Sequence, residues 1–154
     1  MRMEAEVYTG MCELFKAYLT EKKLRKTEER FTIFKMICTF PGHFDVSILL
    51  EHLEQINFHV SRATLYNTLD LLVNAGLVVR HQLPPLEAVQ YELRIYADTH
   101  THLICTQCGT IRELKNDDLK RTLRRTRISR FTPEYYCLYI YGICNTCKAN
   151  RKKQ

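Results

Sequence analysis

The stretch His100-Thr101-His102-Leu103-Ile104-Cys105-Thr106-Gln107-Cys108-Gly109 places two kinds of metal ligand within ten residues. In an extended chain successive side chains alternate between faces, so His100 and His102 share one face while Leu103 and Cys105 take the other. One strand can then serve two sites, a thiolate site closing on Cys108 and an imidazole site whose other ligands come from elsewhere. The thiolates have a matching pair in Cys144-x-x-Cys147, with 35 residues between Cys108 and Cys144. Two such knuckles supply the four sulfurs of a closed, structural zinc site. The alternative is redox chemistry at one Cys-x-x-Cys, which needs a helix starting at the pair, and Gly109 with the strand-like Thr110 to Leu114 does not offer one. Cys12, Cys38 and Cys137 fall in apolar stripes and read as core residues. The His-x-His pair, taken alone, is either a polar surface feature or half of a metal site.

The elements that must position these groups follow from periodicity. Val7, Met11, Leu14, Phe15, Tyr18 and Leu19 form one helical stripe. Thr27 caps a second helix whose buried face is Phe31, Phe34, Ile37 and Cys38, and which Pro41-Gly42 ends. A third helix runs from a cap at Asp45 to Ile56, and Ser61 caps a fourth carrying Leu65, Leu69, Leu72 and Val73, with Gly76 just past its end. Helix, short turn, helix is the arrangement of a DNA-reading helix-turn-helix. Arg62, Tyr66 and Asp70 line the outer row of the fourth helix, with Thr64 and Asn67 beside them. Leu77 to Leu83 and Val89 to Leu93 make a hairpin, completing a winged helix, with Glu92 on its polar face.

After a polar connection over residues 94 to 99 come the opening strand, a second strand to Leu114, a helix capped by Asn116, and a last strand, Tyr135 to Tyr141. The fold class is therefore α+β: a winged-helix domain over 1–94, a hinge over 95–99, a small zinc-stapled α/β domain over 100–148, and a frayed tail over 149–154.

An apolar fraction of 45% in 154 residues is that of a globular protein. No apolar run reaches a membrane span and the first residues do not resemble a signal peptide, so a cytoplasmic address without membrane association is expected. The formal charge of +6 suggests a polyanionic partner, yet it is unevenly placed. Residues 1–94 hold 11 Lys and Arg against 12 Asp and Glu, whereas residues 95–154 hold 12 against 5. No nucleophile and base stand together, so neither catalysis nor a small-molecule substrate is expected.

Four motifs in order, Leu24-Arg25-Lys26-Thr27-x-x-Arg30, Ser61-Arg62-Ala63-Thr64-Leu65-Tyr66-x-Thr68-Leu69, the opening stretch with Gly109-x-Ile111-x-Glu113, and Tyr141-Gly142-x-Cys144-x-x-Cys147, resemble the ferric uptake regulator (Fur) family of bacterial metalloregulators. The resemblance covers about residues 20–148. It implies a homodimeric repressor of double-stranded DNA, with an N-terminal winged helix and a C-terminal α/β dimerisation domain. The family's structural zinc falls on Cys105, Cys108, Cys144 and Cys147. Its regulatory metal site carries over to His43, Glu92, His100, His102 and Glu113, a donor set that suits Fe(II), Zn(II), Mn(II) or Co(II). Its DNA contacts carry over to Arg25, Thr27, Arg30, Ser61, Arg62, Thr64, Tyr66 and Asn67.

The chain departs from the family at several points. An auxiliary metal site of many members would use positions holding Thr99, Thr101, Lys120 and Tyr136, which are not usual ligands, so that site is expected to be absent. Asn67 stands where many members have Arg. The row Lys120, Arg121, Arg124, Arg125 and Arg127 lies outside the family pattern and reads first as a solvated face. Peroxide sensors of the family tend to carry Asp where this chain has Glu92 and Glu113, so iron is the expected signal, followed by zinc and then peroxide. Two readings compete from other classes: a constitutive zinc-stapled DNA-binding or architectural protein, and an anion or haem carrier using the Arg row and Cys137.

Overall fold

The computed structural model describes residues 5–81, 89–97, 101–133, 136 and 138–151. These fall into two compact units, the first built from 5–81 and 89–96 and the second from residue 97 onward.

Four helices open the first unit, α1 (Ala5–Glu21), α2 (Glu28–Ile37), α3 (Val46–Gln55) and α4 (Arg62–Asn74). Three begin at side chains that accept from the exposed amides of the first turn. Thr27 accepts from the Arg30 amide, Asp45 from Ser47 and Ile48, and Ser61 from Thr64. Helix α1 ends at Lys23 and α3 at Asn57, both left-handed, at φ 55° and 56°. Gly76 closes α4 at φ 71°, a left-handed conformation that favours glycine, and a Cβ there would need only the end of the Arg94 side chain to shift.

The helices bury one apolar core. Phe15, Ile33, Phe34, Ile37, Leu49, Leu53, Leu65, Leu69 and Leu72 have no solvent exposure, and the Phe15 ring lies edge-on to Phe31 and tilted against Phe34. The stripe expected on α1 is narrower than its apolar residues suggest. Met11, Phe15 and Leu19 are buried, while Val7 and Leu14 face solvent.

Strands β1 (Val78–His81) and β2 (Gln90–Leu93) pair antiparallel, Val79 opposite Glu92 and His81 opposite Gln90. Between α2 and α3, Phe44 forms a single bridge to Tyr91, with backbone bonds of 2.9 and 2.8 Å in the two directions. The loop expected at Pro84 to Ala88 lies outside the described residues. Residues 94–97, read from sequence as a polar connection, form a helical turn, α5 (Arg94–Ala97), whose first amide donates to Leu77.

The second unit is a three-stranded sheet of order β4-β3-β5, from β3 (Thr101–Cys105), β4 (Ile111–Leu114) and β5 (Tyr139–Gly142). Strand β3 runs antiparallel to β4 and parallel to β5. Helix α6 (Asp117–Arg125), capped by Asn116 through the Leu119 amide, lies in the crossover a parallel pair requires. Among the described residues this unit buries few apolar side chains, Ala97, Ile104 and Cys105, and leaves Ile128, Phe131, Ile140, Tyr141 and Ile143 exposed.

Two expectations are corrected here. Beyond β5 the chain forms α7 (Asn145–Arg151) where a tail fraying from residue 149 is expected, and the last strand begins at Tyr139 among the described residues. No helix of the described residues is long and apolar enough to cross a membrane.

Candidate functional site

The thiolate centre is contained in the second unit. Cys105 ends β3 and Cys108 sits in the turn that follows. The parallel partner β5 delivers Cys144 beside them, and α7 carries Cys147. The four sulfurs lie within 4.8 Å of one another, and Cys108 Sγ is 3.7 Å from Cys144 Sγ. A zinc tetrahedron with Zn–S bonds of about 2.3 Å has S···S edges of about 3.8 Å. The donors thus stand at close to the spacing the ion imposes.

The peptide around them favours anions. The Cys144 amide donates to Cys105 Sγ at 3.3 Å, and Cys108 Sγ lies 3.1 Å from the Thr110 hydroxyl. Amide donation, first from Cys144 and then from residues 108 and 107, lowers the Cys105 thiol to about 6, and Thr110 lowers Cys108. Cys147 moves the other way, to about 12, because Cys144 and Cys108 draw on its proton. A divalent ion at the centre would stabilise all four as thiolates. Cys38, by contrast, is buried in the apolar core and pushed up to about 12 by desolvation, as suits a core residue. Cys137 lies outside the described residues.

The imidazole centre is built differently. In the first unit the Phe44–Tyr91 bridge sets His43 beside β2, where Glu92 follows Tyr91. Directly paired residues of a hairpin share a face, so Val79, His81, Gln90 and Glu92 project together, opposite to Tyr91 and Leu93. The diagonal neighbours His81 and Glu92 are within reach of long side chains. Both histidines approach the same carboxylate oxygen: His43 Nε2 and His81 Nε2 are each 3.4 Å from Glu92 Oε2, and the imidazole centroids are 5.1 Å apart. The side chains of Glu92 and His81 have no solvent exposure, and that of His43 is 15% exposed. Glu92 is therefore a buried carboxylate between two imidazoles, on the polar face of the wing where the alternation puts it, a face that is buried here.

In the second unit His102 stands on β3 directly opposite Glu113 of β4 and Tyr139 of β5, with its ring 5.5 Å from that of Tyr139. Alternation along β3 sets His102 and Cys105 on opposite faces. His100 lies outside the described residues. The structure thus brings together His43 with Glu92, and His102 with Glu113. It adds His81, which sequence reasoning missed. No local sequence signal marks it, because its alignment with Glu92 depends on the register that sets Val79 opposite Glu92.

The residues expected to contact DNA occupy the start of α2 and the exposed face of α4. Arg62, Tyr66, Asn67 and Asp70 are exposed on α4, Tyr66 at 46%. The hydroxyls of Thr27 and Ser61 serve the helix ends, and Ser61 Oγ is also 3.0 Å from Thr64 Oγ1. Arg25 is exposed and Arg30 half-buried, with the Arg30 guanidinium donating to the Arg25 carbonyl. The Arg-rich face of α6 is largely solvated: α6 buries no side chain, and Arg121 pairs with Asp118.

Comparison with known proteins bears on both centres. Residues 21–141 match the model of the ferric uptake regulator family. The ferric uptake regulation protein of Synechococcus elongatus is 32% identical over 136 residues, covering 86% of this chain and 92% of its own length. That of Campylobacter upsaliensis is 31% identical over 157 residues, covering 99% and 98%. Among solved structures, the ferric uptake regulator from Pseudomonas aeruginosa aligns with a TM-score of 0.70 at 25% identity, over 84% of this chain and 97% of that one. The Helicobacter pylori regulator aligns with a TM-score of 0.69 at 15% identity, a likeness of fold alone. With the family match running through both units, and with a four-cysteine cluster in one and a histidine and carboxylate cluster in the other, the chain belongs to the ferric uptake regulator family of metal-responsive, DNA-binding transcription regulators.

Proposed function

We propose that this protein is a homodimeric repressor that binds double-stranded DNA when a divalent metal, Fe(II) first and Zn(II) second, occupies a regulatory centre. The observation that carries this reading is a carboxylate and two imidazoles gathered in the same unit as the helix-turn-helix. The ligands carried over from the family resemblance are His43 and Glu92 in that unit and His100, His102 and Glu113 in the other. Metal binding favours the arrangement in which two recognition helices, one per subunit, enter successive major grooves. Cys105, Cys108, Cys144 and Cys147 hold the structural zinc. The exposed Ile128, Phe131, Ile140, Tyr141 and Ile143 support the second unit as the dimerisation surface, since large exposed apolar side chains on so small a unit call for a partner.

On the DNA side, the exposed Tyr66 ring packs against a thymine methyl while Arg62 and Asn67 reach phosphates or base edges. Arg25 contributes a cation at the start of α2. Ser61 and Thr27 act chiefly through the helix ends they cap, whose free amides favour phosphate oxygens. The iron assignment draws support from the relatives named as ferric uptake regulation proteins and from the Glu at positions 92 and 113. The related structure from Pseudomonas aeruginosa was determined with manganese and one from Francisella tularensis with iron, both consistent with a nitrogen and oxygen donor set.

The test is a DNA-binding titration with and without Fe(II) or Zn(II), run on the wild type and on His100→Ala/His102→Ala. Metal should tighten binding by the wild type and not by the double variant. Metal-independent binding, unchanged in the double variant, identifies a constitutive zinc-stapled DNA-binding protein instead.

A further inference from the structure

His81 is a buried imidazole on a short strand whose residues 78 and 79 are valines, and the resemblance assigns it no role. Its geometry matches that of His43. Each offers Nε2 to one and the same oxygen of Glu92, each at 3.4 Å, and the three donors lie within 4.8 Å of one another. Charge-assisted N–H···O bonds run at about 2.7–2.9 Å. Donors bound to one metal at about 2.0–2.1 Å are separated instead by a tetrahedral edge of about 3.4 Å. Both imidazole-to-carboxylate distances fall on the second value.

The backbone supports the same reading. The hairpin register fixes His81 and Glu92 as diagonal neighbours on one face, and the Phe44–Tyr91 bridge fixes His43 against the same strand. One strand ladder and one isolated bridge thus hold the backbone that carries the three donors, so little reorganisation is left for the metal to impose.

We propose that His81 is a direct ligand of the regulatory metal, and that His43, His81 and Glu92 form a two-histidine, one-carboxylate site contained within the DNA-binding unit. Such a set takes a divalent first-row cation and leaves coordination positions open. The proposal rests on the regulatory-metal reading and adds a ligand to it.

The test uses the full-length protein with its zinc retained, titrated with Co(II) against a competing chelator. The variants are His81→Ala, His81→Gln and, as a control, His59→Ala, a histidine 72% exposed and paired with Glu54. The wild type and His59→Ala should bind one further Co(II) per chain with the same visible ligand-field spectrum. Both His81 variants should bind at least about tenfold more weakly, the lower bound set by losses at groups that merely orient a ligand. X-ray absorption on Co(II)-saturated His81→Gln should count one imidazole fewer than in the wild type. The glutamine variant keeps a polar side chain of similar length, and its metal-free melting temperature checks folding separately. An unchanged imidazole count, or wild-type affinity and spectrum in His81→Gln, overturns the ligand assignment. A wild type that takes up no further Co(II), or takes it up with no change in DNA affinity, defeats the regulatory reading instead.

Discussion

Cys105→Ser, or removal of zinc by a strong chelator, should unfold the C-terminal unit and abolish dimerisation, while the helical signal of the N-terminal unit persists. The two units differ in what holds them. The first has a continuous core around Phe15, Phe34, Leu53, Leu69 and Leu72, whereas among described residues the apolar side chains the second buries are Ala97, Ile104 and Cys105. Small domains with so little apolar burial depend on staples. Structural zinc contributes an apparent ~10–16 kcal/mol of binding free energy in zinc-finger peptides. That matches or exceeds the ~5–15 kcal/mol by which a whole domain is ordinarily stable.

The position of the site sharpens the expectation. Cys105 terminates the central strand and Cys144 follows its parallel neighbour, so the ion fixes a pairing whose crossover otherwise carries a long loop-closure cost. Zinc release with a colorimetric chelator, followed in parallel by circular dichroism and by sedimentation, reads all three consequences. A Cys105→Ser protein that keeps one zinc per chain and melts as the wild type does would show that the cluster has no structural role.

Glu92→Ala should remove the metal response altogether, with metal affinity lower by more than about a hundredfold. Loss of an outer-shell partner already costs ten- to a hundredfold, and in the proposed site Glu92 is the one carboxylate, set beside two imidazoles. With the side chain inaccessible to solvent, water cannot easily replace its charge, and a buried cation without a counter-charge is costly. Glu92→Gln separates charge from shape, since the amide keeps the volume and one oxygen while losing the charge. It should recover folding without recovering the metal response. Isothermal titration with Mn(II) or Co(II), alongside DNA affinity at saturating metal, measures both. Retained metal-dependent DNA binding in Glu92→Gln would move the regulatory centre elsewhere.

Much of this architecture could be read from local chemistry. Thr27, Asp45, Ser61 and Asn116 cap helices because a short oxygen-bearing side chain before an apolar period has one economical use, and Gly76 ends α4 because φ 71° excludes most other residues. The paired cysteine spacing identified the thiolate centre for the same reason, since its ligands come in local pairs. The imidazole centre was harder, because its geometry depends on pairing between strands. Period-two alternation separated Glu92 from Tyr91 and Leu93 correctly, but alternation does not say whether the second face meets water. Here it meets His43 and His81, and the register that aligns His81 appears only once Val79 is set opposite Glu92.

Periodicity also has nothing to register where an element buries no face. Helix α7 has no buried side chain among its residues, and its course follows from the anchored cysteines at its start rather than from an apolar stripe. The turn α5 is four residues long, below the span over which a helical period can be recognised. On α1, Leu14 belongs to the apolar pattern and yet is 61% exposed, because the core reaches only the Met11, Phe15 and Leu19 side of the helix.

If metal occupancy sets DNA affinity, then DNA must raise metal affinity by the same factor. The decisive measurement is a complete cycle with a duplex selected by the protein from random-sequence DNA: DNA affinity with and without saturating Mn(II), and Mn(II) affinity with and without that duplex, all on the zinc-containing dimer. The two ratios should agree and exceed about tenfold, a coupling of about 1.4 kcal/mol or more. A DNA affinity that is the same with and without Mn(II), while Mn(II) binds the protein, would contradict the account.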